Sequence, residues 1–244
     1  MENFRQTIGI LGGMGPAATR DLYDKIISQT PAGRDQDHLR IFIDSNPQIP
    51  DRTKALNENG EDPVPYMLDS AKRLEKAGVD FIIVPCNTAH AFVSCFAKEL
   101  NIPFLSMIET CAKSVLSNYP EISKVGLLAT SGTVNSGLYA EEFKKYGVEV
   151  IALPEGVQEA NVMEAIYGQC GIKSGKTEGK PHDLLQKAAE VLKEAGAEVI
   201  LMACTEIPLA LHQEDIDVPL IDPTNLLARA AVEKALAYKP TSSK

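Results

Sequence analysis

Several features that fix a function class at once are missing from this 244-residue chain. No stretch approaches the ~20 consecutive apolar residues of a membrane-spanning helix. Residues 1–7 are polar and run straight into an apolar segment, with no secretory leader, so a cytoplasmic protein is expected. The five cysteines include no CxxC pair, and in such a chain reduced thiols are expected rather than a zinc site or a disulfide frame. There is no basic footprint: the net charge is -9 and the acidic residues are spread along the chain. A nucleic-acid partner is therefore excluded, because phosphate binding needs clustered cations. A phosphate loop is also absent. Gly171-Ile-Lys-Ser-Gly-Lys-Thr177 approaches GxxxxGK[ST], but Cys170 stands where the first glycine is needed.

What is present is an α/β pattern, with 44% hydrophobic residues to build cores. Apolar runs at 7–11, 39–44, 81–84, 125–128, 148–153, 199–202 and 220–221 read as strands. Amphipathic stretches at 17–29, 64–77, 111–118, 137–146, 161–167, 184–195 and 226–236 read as helices. Continuous apolar strands separated by helices indicate a doubly wound parallel sheet covered on both faces.

The pattern is also written twice. Ile8-Gly-Ile-Leu-Gly12 answers Val125-Gly-Leu-Leu-Ala129, and Ile102-Pro-Phe-Leu105 answers Val218-Pro-Leu-Ile221. Leu74-Glu-Lys-Ala-Gly-Val-Asp-Phe-Ile-Ile-Val-Pro-Cys86 answers Leu192-Lys-Glu-Ala-Gly-Ala-Glu-Val-Ile-Leu-Met-Ala-Cys204. Gly78 and Gly196 each precede their cysteine by the same eight positions. A duplicated unit gives two similar lobes related by a pseudo-twofold axis, with a cleft between them. Ligands bind at the carboxyl ends of parallel strands, which is where each copy places its cysteine.

Cys86 and Cys204 are thus candidate catalytic residues, one on each wall. Inverting an α-carbon needs a base on one face and an acid on the other, and a thiolate and a thiol can share those tasks. A strand-to-helix turn is expected to lower a thiol pKa. Most cysteines simply pack, and Cys95, Cys111 and Cys170 are read that way. Cys86-Asn-Thr88 and Cys204-Thr-Glu206 differ in carrying a polar cluster at the same repeat position.

Other segments leave two readings open. Gly12-Gly-Met-Gly-Pro16 is either a loop whose N–H groups meet a carboxylate at a helix N-terminus or a structural turn. As a dinucleotide fingerprint it is weak, because Asp44 lies too far along. Arg52, in the proline-stiffened run from Ser45 to Thr53, is either a bidentate carboxylate clamp or a solvated loop residue. Thr130-Ser-Gly-Thr133 either holds a carboxylate or caps a helix. His90 either assists Cys86 or lies on a helix surface, and Glu206 either tunes Cys204 or is solvated. Lys173 reads as a surface lysine.

The segments Ile8–Pro16, Asn46–Thr53, Val84–His90 and Ala203–Leu209 together resemble the aspartate/glutamate racemase family. The resemblance implies a pyridoxal-independent racemase of two α/β lobes, with no metal or organic cofactor. Its substrate is a small acidic amino acid, aspartate or glutamate, and it is usually a homodimer. Both family cysteines are present, as Cys86 and Cys204. The resemblance implies that Arg52 and Lys173 bind substrate carboxylates and that Asn87, Thr88, Thr133 and Thr205 line the site, with Met14 and Gln48 nearby. In related glutamate racemases the first-half cysteine acts on the D-enantiomer, which would be Cys86 here. The family arrangement also implies a first lobe of residues 1–108 plus 221–244, the last strand and helix returning to it, and a second lobe of 109–220. Rival expectations are a broad-specificity or hydantoin racemase, a cysteine hydrolase pairing Cys86 with His90, and a non-catalytic amino-acid-binding module.

Overall fold

The structure, a computed structural model, describes residues 5–57 and 60–237. Residues 1–4 and 238–244, at the ends of the expected first lobe, lie outside the described residues. Two parallel sheets form. The first has the order β2-β1-β3, with β1 at Ile8–Gly12, β2 at Ile41–Ser45 and β3 at Phe81–Ile83. The second has the order β5-β4-β6-β7, with β4 at Lys124–Ala129, β5 at Glu149–Ile151, β6 at Val199–Ala203 and β7 at Leu220–Ile221. The helices are α1 (Pro16–Gln29), α2 (Arg52–Asn57), α3 (Val64–Lys76), α4 (His90–Phe96), α5 (Met107–Asn118), α6 (Ser131–Asn135), α7 (Leu138–Lys144), α8 (Glu155–Val157), α9 (Glu164–Tyr167), α10 (Lys180–Glu194) and α11 (Pro223–Leu236). None is long and apolar enough to cross a membrane.

Helices cover both faces of each sheet, which is why β1 and β6 are buried at every residue. On the first sheet, Ile8 and Ile10 pack with Leu22 and Ile26 of α1 and with Leu227 and Ala231 of α11. Leu11 and Ile82 pack on the other face with Met67 and Leu74 of α3 and Phe96 of α4. On the second sheet, Ile200 and Met202 meet Leu185, Ala188 and Leu192 of α10. Leu127 and Leu201 meet Cys111 and Val115 of α5 and Tyr139 and Phe143 of α7. Each large aliphatic side chain buried this way contributes roughly 1.5–3 kcal/mol.

The two copies repeat down to single hydrogen bonds. Ile82 N donates to Pro103 O at 2.9 Å, and Ile200 N donates to Pro219 O at 2.9 Å. Asp80 N donates to Thr7 O, and Glu198 N donates to Lys124 O. Gly78 and Gly196 end their helices at φ 83° and 92°, a left-handed conformation that glycine adopts without a Cβ penalty. From each glycine the chain turns straight into a buried strand that ends at a cysteine.

The last strand corrects an expectation. Leu220 and Ile221 pair with Ile200 and Leu201 of the second sheet, so β7 does not return to the first lobe. Its counterpart in the first copy is a single parallel bridge between Ile82 and Phe104. Only α11 crosses back, laying its buried face on the core of the first sheet. Its neighbour α5 straddles the joint, with Met107 in the first core and Cys111 and Val115 in the second.

The lobes also touch directly where α6 meets α2. A Cβ at Gly132 would lie 2.7 Å from Thr53 Oγ1 and 2.8 Å from Thr53 Cα. Gly132→Ala therefore overpacks the joint and is expected to destabilise by about 1–3 kcal/mol. Thermal melts followed by circular dichroism check this, with Gly156→Ala as the control, since nothing lies within 4 Å of a Cβ there. Equal melting temperatures for the two variants would contradict this account of the joint.

Candidate active site

The carboxyl edges of the two sheets face one another, and the loops that leave them line one small enclosed cavity. Cys86, Asn87 and Thr88 come from the turn after β3, and Cys204, Thr205 and Glu206 from the turn after β6. Met14 comes from the loop after β1, Arg52 and Thr53 from the start of α2, and Thr130 from the cap of α6. Tyr167 and Lys173 close the remaining side. The cavity measures about 20 Å³, room for roughly one water. The lining side chains therefore stand close together in this arrangement.

Arg52 is buried and fixed by main chain. Nη1 donates to Ile49 O at 3.2 Å and Pro50 O at 3.0 Å, and Nη2 donates to Met14 O at 3.2 Å. Three of the five guanidinium donors are thereby used, and Nε has no partner among the described residues. Burial alone would lower the Arg52 pKa, but its neighbours Cys86 and Asp51 hold it raised. A cation of fixed orientation thus stands beside Cys86 with donors to offer a carboxylate. Met14 contributes its carbonyl to this fixation, while its side chain belongs to the core.

The other wall carries a buried acid. Glu206 is 4% exposed; its Oε1 pairs with Lys173 Nζ at 2.7 Å. Its Oε2 accepts from Cys204 Sγ at 3.1 Å and from Thr205 Oγ1 at 3.2 Å. Burial alone would raise the Glu206 pKa, but Lys173 and these two donors hold it lowered, so the group is a carboxylate. Lys173 Nζ also sits 5.4 Å from the centroid of the Tyr167 ring. Its pKa is raised: burial opposes the charge, and Glu206 and Cys204 overcome that opposition.

Between the walls a hydroxyl cluster ties the lobes together. Thr88 Oγ1 lies 2.8 Å from Thr133 Oγ1 and 3.1 Å from Thr130 Oγ1. Asn87 Oδ1 accepts from Tyr139 OH at 2.6 Å.

A model of the Asp/Glu/Hydantoin racemase family matches residues 11–231 of the chain. This protein belongs to that family. It is 32% identical over 238 residues to the broad-specificity amino-acid racemase of Bacillus subtilis (strain 168), covering 95% of this chain and 99% of the relative. Among solved structures it is similar to Picrophilus torridus aspartate racemase, with a TM-score of 0.78 and 31% identity over 94% of each chain. The glutamate racemase of Francisella tularensis shares the fold at a TM-score of 0.65 and 21% identity, over 94% of this chain and 80% of that one.

Most of the racemase-family residues named from sequence converge on the cavity: Cys86, Cys204, Met14, Arg52, Asn87, Thr88, Lys173 and Thr205 line it. Thr133 stands directly behind, bonded to Thr88. Gln48 is not brought in. It is exposed at a turn where its backbone N donates to Asn46 Oδ1, and its side chain takes no part in the cavity. Sequence reasoning missed Tyr139 and Tyr167, whose spacing matches ordinary helix residues.

Two local expectations need correction. The turn after Cys204 leads only into a 3-10 turn at Ile207–Leu209, so no helix terminus lowers that thiol. Burial, followed by the charge of Glu206, instead raises the Cys204 pKa well above its ordinary value. His90 is not paired with the Cys86 thiol. Its Nδ1 contacts Cys86 O at 2.9 Å and its Nε2 accepts from Met107 N at 3.1 Å. Nδ1 is therefore the protonated nitrogen and both ring atoms are engaged by backbone. Burial lowers its pKa, which keeps the ring neutral.

Because Glu206 keeps the Cys204 proton in place, Glu206→Gln is expected to lower the Cys204 pKa. The alkaline limb of the pH profile, in the direction where Cys204 delivers the proton, should move to lower pH. Racemisation rates from neutral to strongly alkaline pH measure this, and an unmoved limb would detach Glu206 from the titration of Cys204.

Proposed function

We propose that this protein is a cofactor-independent racemase of a small acidic amino acid, aspartate first, with Cys86 and Cys204 as opposed acid and base. The observation that carries the reading is that both thiols line one cavity from opposite lobes, each beside its own cation. One cysteine, as thiolate, takes the α-proton. The electron pair left on the α-carbon delocalises into the carboxylate, and the other cysteine, as thiol, delivers a proton to the opposite face. The pair ends with its protonation states exchanged, ready for the reverse reaction. An α-hydrogen beside a carboxylate is a weak acid, so the developing charge needs fixed donors, and Arg52 Nε is such a donor. Every group invoked in this mechanism comes from one chain.

The number of cations favours a dicarboxylate. Arg52 and Lys173 offer one cationic partner to each carboxylate of aspartate, with Glu206 available to the ammonium. A hydrolase using Cys86 is disfavoured because His90 gives neither nitrogen to the sulfur.

A second reading, broad specificity toward neutral or basic side chains, has its own support. The Bacillus subtilis relative carries that description, and a neutral side chain would leave the Lys173–Glu206 pair intact.

The test uses purified wild-type protein in deuterated water, without added cofactor, and a panel of single L-amino acids analysed for α-deuteration and for the D-form. Aspartate or glutamate is expected to show the highest kcat/KM. Faster turnover of alanine or lysine would select the second reading, and no exchange with any amino acid would remove the racemase reading.

A further inference from the structure

Asn87 has one end of its amide held and the other end free. Tyr139 on α7 is fully buried and donates its hydroxyl to Asn87 Oδ1 at 2.6 Å. Asn87 is 2% exposed, follows Cys86 directly and lines the same cavity, and its Nδ2 has no partner among the described residues. A buried amide nitrogen without an acceptor is costly to leave unpaired. A ligand carrying a carboxylate would supply the missing acceptor.

A carboxamide can turn end for end at little steric cost, and the two orientations differ in what they offer a substrate. With nitrogen toward the cavity, Asn87 donates to a carboxylate. With oxygen toward it, Asn87 repels one. In the structure the phenol O–H donates to Oδ1, and this bond holds the orientation that leaves Nδ2 without a protein partner among the described residues. Burial, with the neighbouring Cys111 thiol, raises the Tyr139 pKa, so the phenol stays a donor at working pH.

We propose that Tyr139 is a positioning residue: it acts from the second lobe to hold the Asn87 amide with Nδ2 toward the cavity, where it donates to a carboxylate oxygen of the amino-acid substrate. The inference rests on the racemase reading above. It gives the lobe joint a role in recognition. Asn87 belongs to the first lobe and Tyr139 to the second, so the donor beside Cys86 is set only when the lobes are together.

The test is a double-mutant cycle of Tyr139→Phe, Asn87→Ala and the pair, with kcat and KM measured on the amino acid that wild type turns over fastest. Tyr139→Phe is expected to lower kcat/KM about tenfold in the wild-type background, the scale of one buried hydrogen bond. With Asn87 already alanine, the same substitution should change kcat/KM less than about twofold, since coupled residues are not additive. An equal loss in both backgrounds, or no loss in wild type, overturns the proposal. Where Tyr139→Phe does not fold, the side-chain amide signals of Asn87 are followed instead by ¹H–¹⁵N NMR in wild type, assigned by their absence in Asn87→Asp. A shift of one amide proton on adding substrate supports the role, and unchanged signals overturn it. Wild-type turnover is measured first: no turnover removes the racemase reading itself, whereas turnover with an additive cycle removes only the role of Tyr139.

Discussion

A parallel sheet brings the carboxyl ends of all its strands to one edge, and a chain that builds two such sheets has two edges to join. Here they are joined face to face. Apart from Tyr167 and Lys173, the groups that line the site stand within a few residues of a strand end or on the short helix that follows, so most of the cavity follows from sheet polarity and duplication together. The joint is held by the hydroxyls of Thr88, Thr130 and Thr133, by Tyr139 on Asn87, and by Thr53 pressed against Gly132. These contacts lie beside Cys86, so the joint and the site are built from neighbouring residues. The small volume of the cavity leaves little room for water, which strengthens each charge interaction inside.

The duplicated scaffold carries unlike chemistry on its two walls. Cys86 has a guanidinium beside it, oriented by three backbone carbonyls. Cys204 has a carboxylate beside it, and that carboxylate is itself neutralised by Lys173. The two thiols therefore stand in unlike surroundings, and burial together with Glu206 holds the Cys204 proton in place. In the proposed reaction a dicarboxylate would bring its ammonium to Glu206, the same acid that holds the Cys204 proton.

The strands and the two cysteines were legible because their signals are local. Apolar runs such as Ile8–Leu11 and Val199–Met202 have one solution in an α/β chain, and the glycine eight positions before each cysteine marks a helix end. The Lys173 contact was not legible from its own segment, since a lysine in a glycine-rich loop reads as solvated until Glu206 is seen across from it. The placement of β7 was missed because two residues carry too little pattern to decide between sheets. Tyr139 was missed because its hydroxyl matters only through a contact with residue 87 of the other lobe. The shift of Cys204 went the other way from expectation because burial and Glu206 act where a helix terminus was expected.

In the proposed mechanism two thiols on opposite walls each serve one face of the α-carbon. The measurement that reaches it most directly is α-deuteration in deuterated water by Cys86→Ala and by Cys204→Ala, with the L- and D-forms of the preferred amino acid in separate tubes. The account predicts that neither variant interconverts the enantiomers. Any surviving exchange should be confined to one enantiomer, and to opposite enantiomers in the two variants. Racemisation by either variant at the wild-type rate would contradict it.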